Sequence, residues 1–239
     1  MLKPLLALFD VDGTLLVDDA YAHGRAMVLA LREVYGAPIA DDAVMQIEPW
    51  GKTDLRIARD VLRASGLGNA EIDARLPDWA YTAASAFRSE ARAARAAWKV
   101  RPGLEGALRQ LRDEGLRLSL LSGNLRPIAI EKVEQLGLGS YFDVAIGAYG
   151  SDLEDRPGLV ALARRRGGSP GRPWPRSRTA LVGDTPGDVA AARSDRVRCA
   201  VFSSRRFSAA RLGGADAVVS DTAGLVKTLR CWQLDGRTE

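Results

Sequence analysis

Four short polar clusters in this chain each follow directly on an apolar run. They are Asp10-Val11-Asp12-Gly13-Thr14, Ser122-Gly123-Asn124, Asp152 to Arg156, and Gly183-Asp184-Thr185-Pro186-Gly187-Asp188. Aspartates brought together in a partly dry site repel one another, and a cation makes such a gathering tolerable. The ligands on offer are hard oxygens with no Cys or His beside them, a donor set that selects Mg²⁺. Because Mg²⁺ keeps several waters and binds through a few carboxylates plus substrate phosphate, the same cluster predicts a phosphate ligand. Ser122, Gly123 and Asn124 offer a hydroxyl and backbone N–H groups at a helix start, the donors a phosphoryl group requires. Arg156 adds a fixed positive charge. Asp10 and Asp12, two residues apart as the chain leaves a strand, can point differently, so that one ligates metal and attacks while the other faces a leaving group. Gly13 permits the tight exit that exposes both.

The elements that must position these clusters are legible as apolar runs. Residues 5–9, 116–121, 144–148, 179–182, 199–202 and 217–219 are short, Leu-rich or β-branched, and bounded by Gly, Asp or Ser, as strands buried on both faces are. Helical periods lie between them: Leu104, Leu108, Leu111; Ile130, Val133, Leu136; Val189, Ala192; Leu225, Val226, Leu229. Strands alternating with helices imply an α/β fold, a doubly wound parallel sheet with a Rossmann-like core, and ligands then bind beyond the carboxyl ends of the strands. All four polar clusters are expected to meet at that edge.

From residue 20 to about residue 99 the alternation stops, and the patterns are helical only. Leu55, Ala58, Val61 and Leu62 share one apolar face; Trp79, Ala83, Phe87, Ala91, Ala94 and Trp98 share another. The expected division is a catalytic core of 1–16 and 99–239 interrupted by an all-helical cap of 17–98. A helical wall of the same domain is the alternative. The three prolines of 169–178 predict a loop there.

Composition sets the outer bounds. With 34 Lys plus Arg against 30 Asp plus Glu in 239 residues, the net charge of +4 is small, and the arginines are spread out. A solvated surface is expected, without a nucleic-acid partner. Hydrophobic residues at 46% and charged ones at 27% exclude disordered and fibrous classes. Cys199 and Cys231 are far apart and in no metal-binding spacing, which excludes a disulfide framework or a thiolate zinc site and makes a reducing cytoplasm the expected location. No run is long enough for a membrane span.

Phe9-Asp10-Val11-Asp12-Gly13-Thr14 resembles the first motif of the haloacid dehalogenase superfamily, in its phosphatase branch. Leu121-Ser122-Gly123-Asn124 is similar to the second motif, and Gly183-Asp184-Thr185-Pro186-Gly187-Asp188 to the fourth. The helical insert resembles the family's cap, and Pro49-Trp50-Gly51-Lys52-Thr53-Asp54 resembles a turn of phosphoglycolate-phosphatase-like members. The resemblance implies a phosphoric monoester hydrolase with Asp10 as nucleophile, Asp12 as acid and then base, and Mg²⁺ held by Asp10, the Asp12 carbonyl, Asp184 and Asp188. It implies phosphoryl stabilisation by Ser122, Gly123, Asn124 and Arg156, and a small phosphate ester, such as phosphoglycolate or a sugar phosphate, as substrate. Arg156-Pro157 stands where the third motif most often has Lys-Pro, with Lys132 as the rival for that role. Lys52, Thr53 and His23 are candidate substrate contacts, against readings of Thr53 as a helix cap and His23 as a plain helical residue. A phosphomutase of the same architecture and a non-catalytic protein binding phosphate and Mg²⁺ remain alternatives, and the oligomeric state is open.

Overall fold

The computed structural model describes residues 4–19 and 21–235; Met1–Lys3, Ala20 and Gly236–Glu239, which the expected division also includes, lie outside the described residues. The first strand, β1 (Leu6–Phe9), leads through β2 (Leu16–Asp18) into α1 (Ala22–Tyr35), α2 (Ala43–Gln46), α3 (Asp54–Ala64) and α4 (Asn69–Ala94). The chain returns through β3 (Lys99–Val100) to α5 (Leu104–Asp113), β4 (Arg117–Ser122), α6 (Arg126–Gln135), β5 (Ala148–Tyr149) and α7 (Pro157–Gly167). It ends with β6 (Thr179–Gly183), α8 (Pro186–Ser194), β7 (Arg198–Phe202), β8 (Ala217–Val219) and α9 (Thr222–Leu234).

The main sheet has the order β5-β4-β1-β6-β7-β8, and every neighbouring pair is parallel. Period-two alternation explains why β1 is apolar throughout. Leu5, Ala7 and Phe9 pack on one face with Leu108 of α5, Val133 of α6 and Leu229 of α9. Leu6 and Leu8 pack on the other with Leu159 of α7 and Ala192 of α8. With β1 flanked by β4 and β6, the chain segments leaving these three strands open side by side.

The helices of the insert form a third apolar cluster, in which α1, α3 and α4 bury Leu31, Val61, Trp79 and Phe87 together, joined by Leu125 and Ile128 at the start of α6. The insert is entered and left through a two-stranded antiparallel ribbon, β2 with β3, which is too short to register as a pattern. Helix α4 begins well before Pro77 and runs through it. Ile72 and Leu76 on that early stretch are buried against the insert's core, which offsets the hydrogen bond the proline removes. The expected strand over 144–148 is largely a turn: Asp143 takes the N–H of Ala145 on its side chain, and pairing is confined to Ala148 and Tyr149. Cys199 and Cys231 are both free, and no described helix is long and apolar enough to cross a membrane.

Candidate active site

The chain turns sharply after β1. Gly13 has φ 79°, and a side chain there would collide with the Asp184 carboxylate, so the glycine allows the first loop to lie directly against the loop after β6. That approach puts carboxylate oxygens of Asp10, Asp184 and Asp188 within 4.8 Å of one another, all three residues buried. Helix α8 fixes one of them. Its N-cap Thr185 and Asp188 form a capping box, and Asp188 Oδ2 also accepts the N–H of Asp184 at 3.2 Å. Thr14 donates from Oγ1 to Asp184 Oδ1.

Arg156, at the start of α7, enters this cluster. Its Nη2 lies 3.1 Å from Asp10 Oδ1 and 2.5 Å from Asp188 Oδ1. Its Nε is buried with no hydrogen-bond partner among the described residues, a donor left over for an anion. Lys132 occupies a different place. Its Nζ lies 2.6 Å and 2.7 Å from the two oxygens of Asp12, so the two cations divide the first loop between them.

Electrostatics follow from this division. Burial pushes the Asp10 carboxyl up, Arg156 pulls it back and Asp188 and Asp12 push again, leaving it at about 7. Burial, with repulsion from Asp188 and Asp10, holds Asp184 well above its ordinary value. Burial would raise Asp12 as well, but the charge of Lys132 beside it overcomes this and holds it well below the usual carboxylate range. Asp10, Asp184 and Asp188 therefore offer a hard-oxygen set with more negative charge than Arg156 neutralises, which is the donor chemistry a small divalent cation fits. The Asp12 side chain is directed to Lys132 and Asn124 instead, leaving its backbone carbonyl as its only candidate ligand.

The second loop supplies the opposite wall. Ser122 is buried, its Oγ accepting the N–H of Asn124 at 3.2 Å. Asn124 donates from Nδ2 to Asp12 Oδ2 at 2.9 Å. A Cβ on Gly123 would meet Lys52 O and Arg156 Nη1, so only glycine fits between the turn at 49–54 and the guanidinium.

That turn seats the insert on the core. Asp54 donates its N–H to Gly123 O at 2.7 Å, and its carboxylate accepts the N–H of Leu125 at 2.7 Å. Thr53 caps α3 by accepting the N–H of Arg56 and donates to Glu154 O, so it is a cap residue and not a free ligand contact. Lys52 lines the cavity beside the site, with its ammonium bound to Ile47 O at 2.6 Å and Asp60 Oδ2 at 3.0 Å. His23 has both ring nitrogens engaged, Nε2 3.1 Å from Asp54 Oδ2 and Nδ1 3.3 Å from Lys132 Nζ. Asp152, in the third cluster, binds Arg166 and the N–H of Tyr149 and is not part of the site.

Arg101, which sequence reading misses, and Lys132, which it names only as a rival to Arg156, support the first loop. Arg101 lies over the Phe202 ring at 3.7 Å and donates to the carbonyls of Thr14 and Gly13; Arg-Pro-Gly before a helix carried no signal of this. Lys132, wholly buried, holds Asp12 from α6. Its signal was a charged residue inside the buried stripe Ile128, Ala129, Lys132, Val133. A cavity of about 630 Å³ lies between core and insert, with Asp10, Asp12, Arg156 and Asp184 on one side and Met27 and Trp50 on the other.

Residues 5–194 match the haloacid dehalogenase-like hydrolase family. Phosphoglycolate phosphatase 1 of Pseudomonas aeruginosa is 25% identical over 201 residues, covering 83% of this chain and 69% of that protein. A phosphoglycolate phosphatase of Yersinia pestis is 28% identical over 197 residues, covering 80% and 77%. CbbY from Rhodobacter sphaeroides, solved in complex with phosphate, shares the fold with a TM-score of 0.70 at 20% identity, over 93% of this chain and 96% of that one.

Proposed function

Since the chain belongs to the haloacid dehalogenase-like hydrolases, and its relatives make it a phosphatase, we propose that it hydrolyses a small phosphomonoester with Mg²⁺ through an aspartyl-phosphate on Asp10. The observation that carries this reading is the buried triad of Asp10, Asp184 and Asp188 with Arg156 bonded to two of its members. Mg²⁺ held by Asp10, Asp184 and the Asp12 carbonyl would supply charge neutralisation for the anionic substrate.

The residues of the chain then do the following. Asp10 attacks phosphorus with one carboxylate oxygen while the ester P–O bond breaks. With the anionic ester bound beside it, Asp12 takes up a proton against the pull of Lys132; it gives that proton to the departing alcohol oxygen, and afterwards takes one from the water that hydrolyses the acyl phosphate, releasing phosphate and restoring Asp10. Arg156 Nε, Ser122 and the N–H groups of the second loop stabilise the phosphoryl oxygens. Asp188 orients Arg156 and the loop after β6. We assign residues 17–98 as a cap that excludes bulk water during this sequence. Phosphoglycolate heads the list of candidate substrates because it is what the Pseudomonas and Yersinia relatives are named for.

The test is phosphate release from a panel of small esters, including phosphoglycolate and sugar phosphates, with Mg²⁺ and with excess chelator, beside Asp10→Asn. Release that needs the metal and falls by about 10⁴-fold or more in Asp10→Asn is expected. Isomerised ester without free phosphate would identify a mutase, and near-full release by Asp10→Asn would remove the covalent mechanism.

A further inference from the structure

Lys132 is wholly buried, and it sits on the apolar stripe of α6 where a charge has to be accounted for. A buried ammonium is costly unless every partner is in place. Those partners come from four parts of the molecule. Nζ lies 2.6 Å and 2.7 Å from Asp12 Oδ1 and Oδ2, and 3.6 Å from Asp19 Oδ2, beyond β2. It lies 3.3 Å from His23 Nδ1 on α1 and 5.6 Å from the ring centroid of Phe87 on α4. The other ring nitrogen of His23, Nε2, lies 3.1 Å from Asp54 Oδ2. Asp54 is in turn tied to the second loop through the N–H of Leu125.

The effect on Asp12 is specific. Among the described residues, Oδ2 receives Lys132 and Asn124, whereas Oδ1 receives Lys132 alone. The side chain is 41% exposed, toward the cavity it lines. Two donors fixed from behind thus set the plane of a short, otherwise rotatable carboxylate and leave Oδ1 with a free lone pair. None of the ion pairs of Lys132 among the described residues runs to Asp10, which belongs to Arg156.

We propose that Lys132 is a positioning residue for Asp12, holding it from beneath the site so that Oδ1 faces first the leaving oxygen and then the attacking water. This rests on the phosphatase reading above and adds to it the group that aims the proton carrier. A misaimed acid matters where the leaving oxygen needs a proton and much less where it does not. An alkyl phosphate and p-nitrophenyl phosphate differ in that respect, and kcat/KM isolates the step in which the ester bond breaks.

The experiment compares kcat/KM on the two esters for wild type, Lys132→Met, Asp12→Asn and the double variant. Lys132→Met is expected to lose about 10²-fold on the alkyl ester, at least ten times more than on the aryl ester. The double variant is expected to fall no more than about twofold below Asp12→Asn, since Lys132 acts through Asp12. Equal losses on both esters, additive losses, or no loss would overturn the assignment. Should Lys132→Met melt below the assay temperature, Lys132→Arg keeps the charge, displaces the donor and is expected to give the same difference between esters. A wild-type protein that cleaves neither ester would overturn the phosphatase reading and this inference with it, an outcome distinct from an active enzyme indifferent to Lys132.

Discussion

Arg156 touches Asp10 and Asp188 through one nitrogen, Nη2, and keeps Nε unspent in a buried position. Those two features belong to different tasks, holding the carboxylates and meeting the phosphoryl group, and substitution can separate them. Lysine can reproduce a single bridging nitrogen but not the fork. Arg156→Lys is therefore expected to keep the fold and lose about tenfold in kcat/KM, whereas Arg156→Ala loses about 10³-fold. Titration calorimetry on Arg156→Ala should find Mg²⁺ bound at least as tightly as in wild type, because removing the guanidinium adds net negative charge to Asp10, Asp184 and Asp188. Weakened Mg²⁺ binding would mean that Arg156 builds the cation site and is not confined to the phosphoryl group. The division of the first loop between Arg156 and Lys132 is also where sequence reading reached its limit. Both are cations after strands, and nothing local distinguishes a partner 120 residues away in Asp12 from one 32 residues away in Asp188.

At the scale of elements, the seat between insert and core is made of backbone. Gly51 at φ 80° faces Gly187 at the start of α8, and a Cβ on Gly187 would stand 2.9 Å from Gly51 Cα. Gly187 itself is helical, so alanine suits its backbone and is resisted only by the turn across from it. Gly187→Ala is expected to lift the 49–54 turn by a fraction of an ångström. KM should rise about tenfold with the melting temperature nearly unchanged, checked by steady-state kinetics beside a thermal melt. A drop in melting temperature with KM unaltered would place the glycine in the fold of the core alone. The strands of the main sheet were legible because parallel strands buried on both faces must be apolar throughout, and the polar residues that follow them mark the ligand edge. The run over 144–148 carried the same composition, yet Asp143, whose side chain takes the N–H of Ala145, starts it with a turn. The ribbon of β2 with β3 left no trace, since pairing three residues with two depends on the insert bringing residues 16 and 100 together. The seat itself was invisible for the same reason: Thr53 and Asp54 carried the signature of a helix cap, and Thr53 is one, but the contacts of Asp54 with Gly123 and Leu125 exist only in the folded chain.

For the whole molecule, the carboxylate edge sets how stability varies with pH and metal. Asp10 rises from an ordinary 3.8 to about 7, and Asp184 is also raised, by burial first and mutual repulsion second. A carboxyl with a raised folded value holds its proton more tightly folded than unfolded. The folded state is therefore favoured below about pH 4, and that advantage is lost as pH climbs through about 7. Asp12 runs the opposite way, but its lowered value confines its effect to acid below this window. In chelator, the melting temperature should accordingly fall between pH 5.5 and pH 8.0. Mg²⁺ competes with those same protons, so its stabilisation should grow over the same interval. At 100 times its dissociation constant a ligand contributes about 2.7 kcal/mol, which for a chain of this length raises the melting temperature by roughly 5–10 °C. Thermal melts at both pH values with chelator and with Mg²⁺ check this, because the difference between the two curves cancels every titrating group that the metal does not touch. A Mg²⁺ shift of equal size at pH 5.5 and pH 8.0 would mean that the cation binds away from Asp10 and Asp184, and the buried triad would then need another account of its charge.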